Sequence, residues 1–515
     1  MDFVINVLLR VVWLVLGAGA AFGVVRWLRR AWRESEERWT VRISAGMLVL
    51  AGVYTAAHVR LLAQRDTIEA GREAYAVFGD PRRTEMRRGE VRGWMLDCTG
   101  NDANAFAMYQ ERDGLIERVY PIGEAGANFI GGGEHADERD YTIETLFGPE
   151  LRRPANFLEL GEPHSAGRDL ELTLCREATR VAYERLRQSG LPGAVIVQDV
   201  HTGALLAYAA TGGPDTPPLG IKRYSPPGSV FKLALSAVWW DNNLPDDIPI
   251  PCPSSIQVNA RGARISNSGG VDRGEVIGPE GMLVPSCNTA AVAMAWEARR
   301  RIGSEPFINA YRRFGFLPYE VTPPTVDSAG FWRTSSDAWS RRMTPAPSRL
   351  RISAATDSAE WAQMAIGQGP VDVTVAGISR FIQAIGNGGV MLPPTVETRF
   401  AIRPSQGERV MRETTAEKLQ HAMLAVVDHG TGTGARAQLG STRWRIGGKT
   451  GTAQVAGQRD NGWFAGLVFD PQGIPRFSVV TFLEGGGPGG GQPAAISGTV
   501  ARVLITDPPP GTDRN

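Results

Sequence analysis

Two pairs of apolar, strand-like stretches stand far apart in this chain, and the sequence between them is patterned as helix. Gly193-Ala-Val-Ile-Val-Gln-Asp199 and Gly203-Ala-Leu-Leu-Ala-Tyr-Ala-Ala210 are joined by Val200-His-Thr-Gly203, and Trp463-Phe-Ala-Gly-Leu-Val-Phe469 and Phe477-Ser-Val-Val-Thr-Phe-Leu483 flank the turn Asp470-Pro-Gln-Gly473. Both read as β-hairpins. The middle, from Ser229 to about Val427, carries apolar residues at helical spacing over Thr289 to Arg301, Val373 to Gly386 and Thr415 to Asp428. Leu172 to Leu186, ahead of the first hairpin, does the same. An antiparallel sheet assembled from both ends of a domain, with helical layers supplied by its middle, is the economical solution, and it makes the chain α+β. Gly485 to Gly491 reads as a flexible loop, Gln492 to Ile505 as a closing helix, and residues 508–515 as a fraying, disordered tail.

At 515 residues the chain is too long for one core. A formal charge of +1, with no long basic stripe, gives no reason to expect a nucleic-acid partner. The N-terminus differs from the rest. Val11 to Val25 and Ile43 to Ala57 are uninterrupted runs of apolar or small residues, each extendable to about 20 residues, which predicts two transmembrane helices in the lipid bilayer. The alternative is a signal peptide followed by a soluble helix, but no Ala-x-Ala-like site follows the first run. Six arginines lie between the runs, from Arg26 to Arg42, so the positive-inside rule places that loop in the cytoplasm and everything beyond about residue 65 on the outer face. The expected division is a helical hairpin over 1–65, a stalk over 66–85, a small irregular β-rich domain over 86–174 and a larger domain over 175–507. None of the four cysteines, Cys98, Cys175, Cys252 and Cys287, pairs at a metal-ligand spacing, so no metal is expected. Cys287 reads as a small buried thiol open to reagents from the cleft.

Only four of the 55 basic residues are lysine, namely Lys222, Lys232, Lys418 and Lys449. Two of them stand where arginine could not serve. Lys232 follows Ser229 by three positions at the start of the apolar helical run Val230 to Trp240, which puts the amine on the face of the hydroxyl one turn on. An ammonium can be driven to neutrality by burial and a neighbouring cation, whereas a guanidinium cannot. A neutral amine beside a hydroxyl at a helix start makes a nucleophile, and Lys449 would be the second positive charge. Ser-x-x-Lys alone is common, and its bland reading is an exposed helix start.

Ser286-Cys-Asn288 ahead of a helix, and Lys449-Thr-Gly-Thr452 on a strand, follow in that order. The three motifs resemble those of penicillin-binding proteins and serine β-lactamases. The resemblance covers about residues 86 to 506. Arg88-Gly-Glu-Val-Arg-Gly-Trp-Met-Leu-Asp97 and Arg118-Val-Tyr-Pro121 are similar to pedestal segments of the class B proteins. Gly367-Gln-Gly369, Asn387-Gly-Gly389 and Gly430-Thr-Gly-Thr433 are similar to segments of their transpeptidase domain. It implies a pedestal followed by a five-stranded antiparallel sheet flanked by helices.

Carried over, the resemblance implies that Ser229 attacks the carbonyl of a D-Ala-D-Ala stem peptide and that neutral Lys232 is the base. Ser286 would relay the proton to the leaving D-alanine, and Asn288 would bind the substrate's amide. Lys449 would hold the field, Thr450 and Thr452 would bind the terminal carboxylate, and strand residue Gly451 would admit the substrate backbone. The backbone N–H groups of Ser229 and Thr452 would form the oxyanion hole. No cofactor is implied. The plain readings are a helix cap for Ser286 and Asn288 and an ordinary edge strand for Thr450 to Thr452. Cys98 and Cys175 replace polar residues that the family uses at those places, so either a disulfide ties pedestal to transpeptidase domain or both are buried thiols.

The implied activity is a membrane-anchored D,D-transpeptidase of the bacterial cytoplasmic membrane, with its catalytic domain periplasmic, that binds β-lactams covalently. With no room for a glycosyltransferase ahead of residue 170, glycan polymerisation would fall to a separate polytopic membrane polymerase. A D,D-carboxypeptidase or β-lactamase is the neighbouring alternative, although no Glu-x-x-Leu-Asn is present to activate a deacylating water. A non-catalytic sensor or scaffold is the third.

Overall fold

The computed structural model describes residues 92–509 apart from 113–114, 132–141, 152–167, 214–215, 217, 319–347 and 399–406, together with scattered positions between 26 and 60. The chain divides into two compact units, Met1–Arg87 and Arg88–Asn515. In the first, the described positions, among them Arg26, Met47, Tyr54 and Val59, are helical and exposed. The two expected membrane helices and the stalk fall almost wholly outside the described residues, and no helix among the described residues is long and apolar enough to cross a membrane.

The second unit is built on a five-stranded antiparallel sheet of β1 (Gly193–Asp199), β2 (Leu205–Ala210), β3 (Arg445–Ala453), β4 (Asn461–Phe469) and β5 (Pro475–Leu483), in the spatial order β3-β4-β5-β1-β2. Both hairpins form where the sequence writes them, and β5 joins them by pairing with β1 from Phe477↔Asp199 to Leu483↔Gly193. The helices that position the site are α1 (Arg176–Ser189), α2 (Lys232–Asp241), α3 (Asn288–Ile302), α4 (Val375–Gly386), α5 (Glu413–His429) and α6 (Gln492–Thr506).

Successive strand residues point to opposite faces, so an apolar run without polar alternation must be covered on both sides. Ala194, Ile196, Tyr208, Ala465, Leu467 and Val480 face the core shared with α2, α3 and α4. Val195, Val197, Ala207, Phe464, Val468 and Val479 face the core shared with α1 and α6. Helix α2 is apolar on every side, and all residues from Lys232 to Trp240 are buried. A helix of that kind belongs inside the molecule.

Ahead of α1, in the residues expected to form the pedestal, the chain makes short strands and short helical turns. Met95–Leu96 runs parallel to Leu170–Glu171, and Met108–Arg112 pairs with Leu115–Val119. The fully buried Glu144 carboxylate binds Arg92 at 2.8 Å and Arg118 at 3.0 Å, joining the two segments that carry the pedestal resemblance. Cys98 and Cys175 form a disulfide with Cα atoms 4.9 Å apart, which ties the pedestal to the N-cap of α1.

Four expectations are corrected. Residues 172–175 are not helical, because Leu172 N donates to Leu96 O and Thr173 N to Val396 O in strand-like pairings. The Gly485 to Gly491 loop, expected to be flexible, packs against β3 and β4, as described below. Cys287 is not a thiol but is bonded to Cys252. At the end of the chain Pro509 is buried, while 510–515 lie outside the described residues.

Candidate active site

Ser229 lies in a single 3-10 turn, Gly228–Phe231, that runs directly into α2. Phe231 anchors the turn, its ring stacked on Tyr311 and edge-on to Phe316, each at 4.9 Å between centroids. Gly228 has φ +53°, and a Cβ there would lie 2.4 Å from Thr452 O. The backbone before the hydroxyl therefore rests on the backbone of β3, an approach that only glycine permits. Gly228 N donates to Gly367 O at 2.9 Å, Trp463 Nε1 to Pro226 O at 3.0 Å and Asn461 Nδ2 to Ser225 Oγ at 3.0 Å. The half-buried Ser229 is thus held beside Lys449–Thr452 although more than half the domain separates them in sequence.

Lys232, on the first turn of α2, donates from Nζ to Ser286 O and to Asn288 Oδ1, both at 2.7 Å, with Ser286 Oγ at 3.4 Å. From β3, Lys449 Nζ donates to Ser286 Oγ at 2.9 Å and to Thr450 O at 3.0 Å. One serine hydroxyl thus stands between two amines. Both lysines have no exposed surface. Burial, followed by the charge of Lys449, drives the Lys232 pKa well below that of an ordinary amine. Burial lowers Lys449 to about 7. The pair can therefore hold one proton fewer than two solvated lysines would near neutrality.

Ser286 is reached through a backbone turn at φ +58°, a left-handed conformation rare for a residue with a side chain. Asn288 opens α3, and its backbone N–H donates to Asn267 Oδ1 at 2.9 Å while its own Nδ2 donates to Ser266 O at 2.8 Å. Along β3, Thr450 Oγ1 shares a 2.5 Å hydrogen bond with Thr431 Oγ1, and Thr452 is the exposed residue in an otherwise buried stretch. Gly489 lies flat behind Gly451, where a Cβ would meet Trp463 O at 1.9 Å. The Gly-rich loop is the backing of the site.

The structure thus brings together all eight residues singled out in the sequence, Ser229, Lys232, Ser286, Asn288, Lys449, Thr450, Gly451 and Thr452. Thr431, Asn267 and the Cys252–Cys287 bond were not anticipated. Of these, Cys287 carried a signal, since it stands between two site residues, and Thr431 lies in Gly430-Thr-Gly-Thr433, a segment already similar to the family's.

Residues 193–505 match the family described as the penicillin binding protein transpeptidase domain. The chain belongs to that family. The chain is 26% identical over 407 residues to the probable peptidoglycan D,D-transpeptidase PenA of Neisseria gonorrhoeae, an alignment covering 72% of the chain and 64% of that protein. It therefore spans a little under two thirds of the length of that curated relative. Its fold is that of penicillin-binding protein A of Mycobacterium tuberculosis, solved as an imipenem acyl-enzyme complex, with a TM-score of 0.64, 20% identity and coverage of 82% of this chain and 99% of that one. The D,D-transpeptidase domain of a peptidoglycan glycosyltransferase from Eggerthella lenta matches with TM-score 0.64, 22% identity, and 81% and 99% coverage.

Proposed function

We propose that this chain is a membrane-anchored serine D,D-transpeptidase that cross-links peptidoglycan stem peptides and is acylated by β-lactams. The observation that carries the reading is Ser286 Oγ held between the buried amines of Lys232 and Lys449, beside the Ser229 turn. Lys232 in its neutral form takes the proton of Ser229 Oγ as the oxygen bonds to the penultimate D-alanine carbonyl carbon. The developing oxyanion is met by the backbone N–H groups of Ser229 and Thr452. As the tetrahedral centre collapses, the peptide C–N bond breaks and the proton passes through Ser286 to the leaving D-alanine amine. The amine of a neighbouring stem peptide then attacks the ester, giving the cross-link and restoring the serine. Asn288 holds the substrate's amide, and Thr450 and Thr452 its carboxylate. A β-lactam carries the same carboxylate and amide, but its leaving amine stays tethered after ring opening.

Localisation is part of the proposal: two N-terminal membrane helices, with the catalytic domain on the outer face of the bacterial cytoplasmic membrane. The pairing of all four cysteines supports an oxidising compartment. A separate polytopic membrane polymerase is the expected partner. The test is labelling with a fluorescent penicillin. The wild-type chain should label one to one and release the product slowly, while Ser229→Ala should not label. Equal labelling of the variant, or a burst followed by fast turnover, would refute the proposal.

A further inference from the structure

Between α2 and α3 the chain makes an excursion of short strands, Pro249–Pro251 paired with Glu275–Ile277 and Ser255–Gln257 paired with Arg264–Ser266. This ribbon touches the site at two places. Asn267 Oδ1 accepts the N–H groups of Asn288 and Thr289 at 2.9 and 3.1 Å, and Ser266 O accepts Asn288 Nδ2. The second place is covalent. Cys252, at the base of the ribbon, is bonded to Cys287, which separates Ser286 from Asn288 in the chain, and both sulfur-bearing residues are buried. Cys287 is also the N-cap of α3, its sulfur accepting Ala290 N–H at 3.2 Å.

A residue with a side chain persists in the left-handed region only where its surroundings over-determine it. Ser286 is such a residue, and that conformation is what turns its carbonyl to Lys232 and its hydroxyl to Lys449. The next residue along is bonded to another element. We propose that the Cys252–Cys287 disulfide is a positioning device for catalysis, holding Ser286 and Asn288 against the two lysines, so that the chain acylates efficiently only when this bond is made. This inference rests on the acyl-enzyme reading above. It differs from the other disulfide: Cys98–Cys175 lies between pedestal and α1 and touches no site residue.

The test uses the full-length chain in detergent and compares wild type, Cys252→Ala/Cys287→Ala and, as a control, Cys98→Ala/Cys175→Ala. Second-order acylation rates for the fluorescent penicillin are measured against pH, together with amide hydrogen exchange over residues 286–290. Displacement of oriented groups by about an ångström slows reactions by up to roughly a hundredfold. The first double variant should therefore acylate ten- to a hundredfold more slowly. The rising limb of its pH profile should move to higher pH, because water reaching Lys232 beside Lys449 favours the ammonium, and exchange at 286–290 should quicken. The control should keep the wild-type rate and profile. If the Cys252/Cys287 variant only melts earlier, with rate, profile and exchange unchanged, the disulfide is structural and the proposal is wrong. Should that variant not fold, Cys252→Ala alone removes the link while retaining the capping sulfur, and the same outcomes apply. A wild-type chain that does not label sinks the acyl-enzyme reading instead, while the exchange comparison still decides whether the bond holds Ser286.

Discussion

Lysine rather than arginine at 232 and 449 has a measurable consequence. If Lys232 accepts the serine proton, it must be uncharged, and if Lys449 supplies the field, it must be charged. Acylation should then rise with pH as Lys232, pushed down by burial and by the charge of Lys449, loses its proton, and fall as Lys449 loses its own at about 7. A bell-shaped profile of the acylation rate is expected, and a rate that climbs steadily to pH 9 would contradict these assignments. Lys232→Arg keeps the positive charge and removes the base, so it should slow acylation by roughly 10²–10⁴-fold while leaving the fold intact by circular dichroism. The same burial shapes stability. Unfolded Lys449 holds its proton up to its ordinary 10.5, and folded Lys449 only to about 7. Between those values the unfolded state binds more protons, so unfolding free energy rises with pH. Lys449→Met should flatten that slope in urea titrations at pH 7 and 9, and an unchanged slope would show that other groups set it.

The nucleophile turn and β3 interlock backbone to backbone, and this contact tolerates no side chain. Gly228→Ala forces a Cβ to within 2.4 Å of Thr452 O from a positive φ. It should cost roughly 1–3 kcal/mol of stability. Acylation should fall further than that loss explains, because the Ser229 and Thr452 N–H groups proposed as the oxyanion donors would separate; a variant with wild-type acylation and lowered stability would argue against them. Elements such as β1, β2, β4, β5 and α3 to α6 were legible in the sequence because turns and apolar periodicity are local signals. So was the convergence of the eight candidate residues, through motif resemblance and the placement of the lysines. The ribbon over 249–277 was not, since strands of three residues with mostly exposed side chains write no period. Nor was the role of Gly485 to Gly491, because glycine reveals backbone freedom and not what will pack against it. The Cys252–Cys287 pairing depends on how the ribbon folds back onto α3, and four cysteines leave three ways to pair.

Across the whole molecule, the pedestal is held by a buried charge cluster as well as by a disulfide. Glu144 satisfies both Arg92 and Arg118 with no exposure of its own side chain. Glu144→Ala removes the carboxylate that both guanidiniums share and should destabilise the unit by about 3–5 kcal/mol. Urea denaturation checks this, and a loss below 1 kcal/mol would mean the cluster is hydrated. The sheet imposes an order of events on the rest. Its first two strands come from the start of the domain and its other three from the end, joined through β5 and β1, so Ser229 and Lys232 leave the ribosome long before β3, the strand that carries Lys449. Contacts so distant in sequence form late. On the proposed mechanism a half-made chain should be blind to penicillin: the drug would trap only molecules whose last three strands have already slid into place, and a truncation ahead of β3 should yield a protein with its serine intact and nothing to wake it.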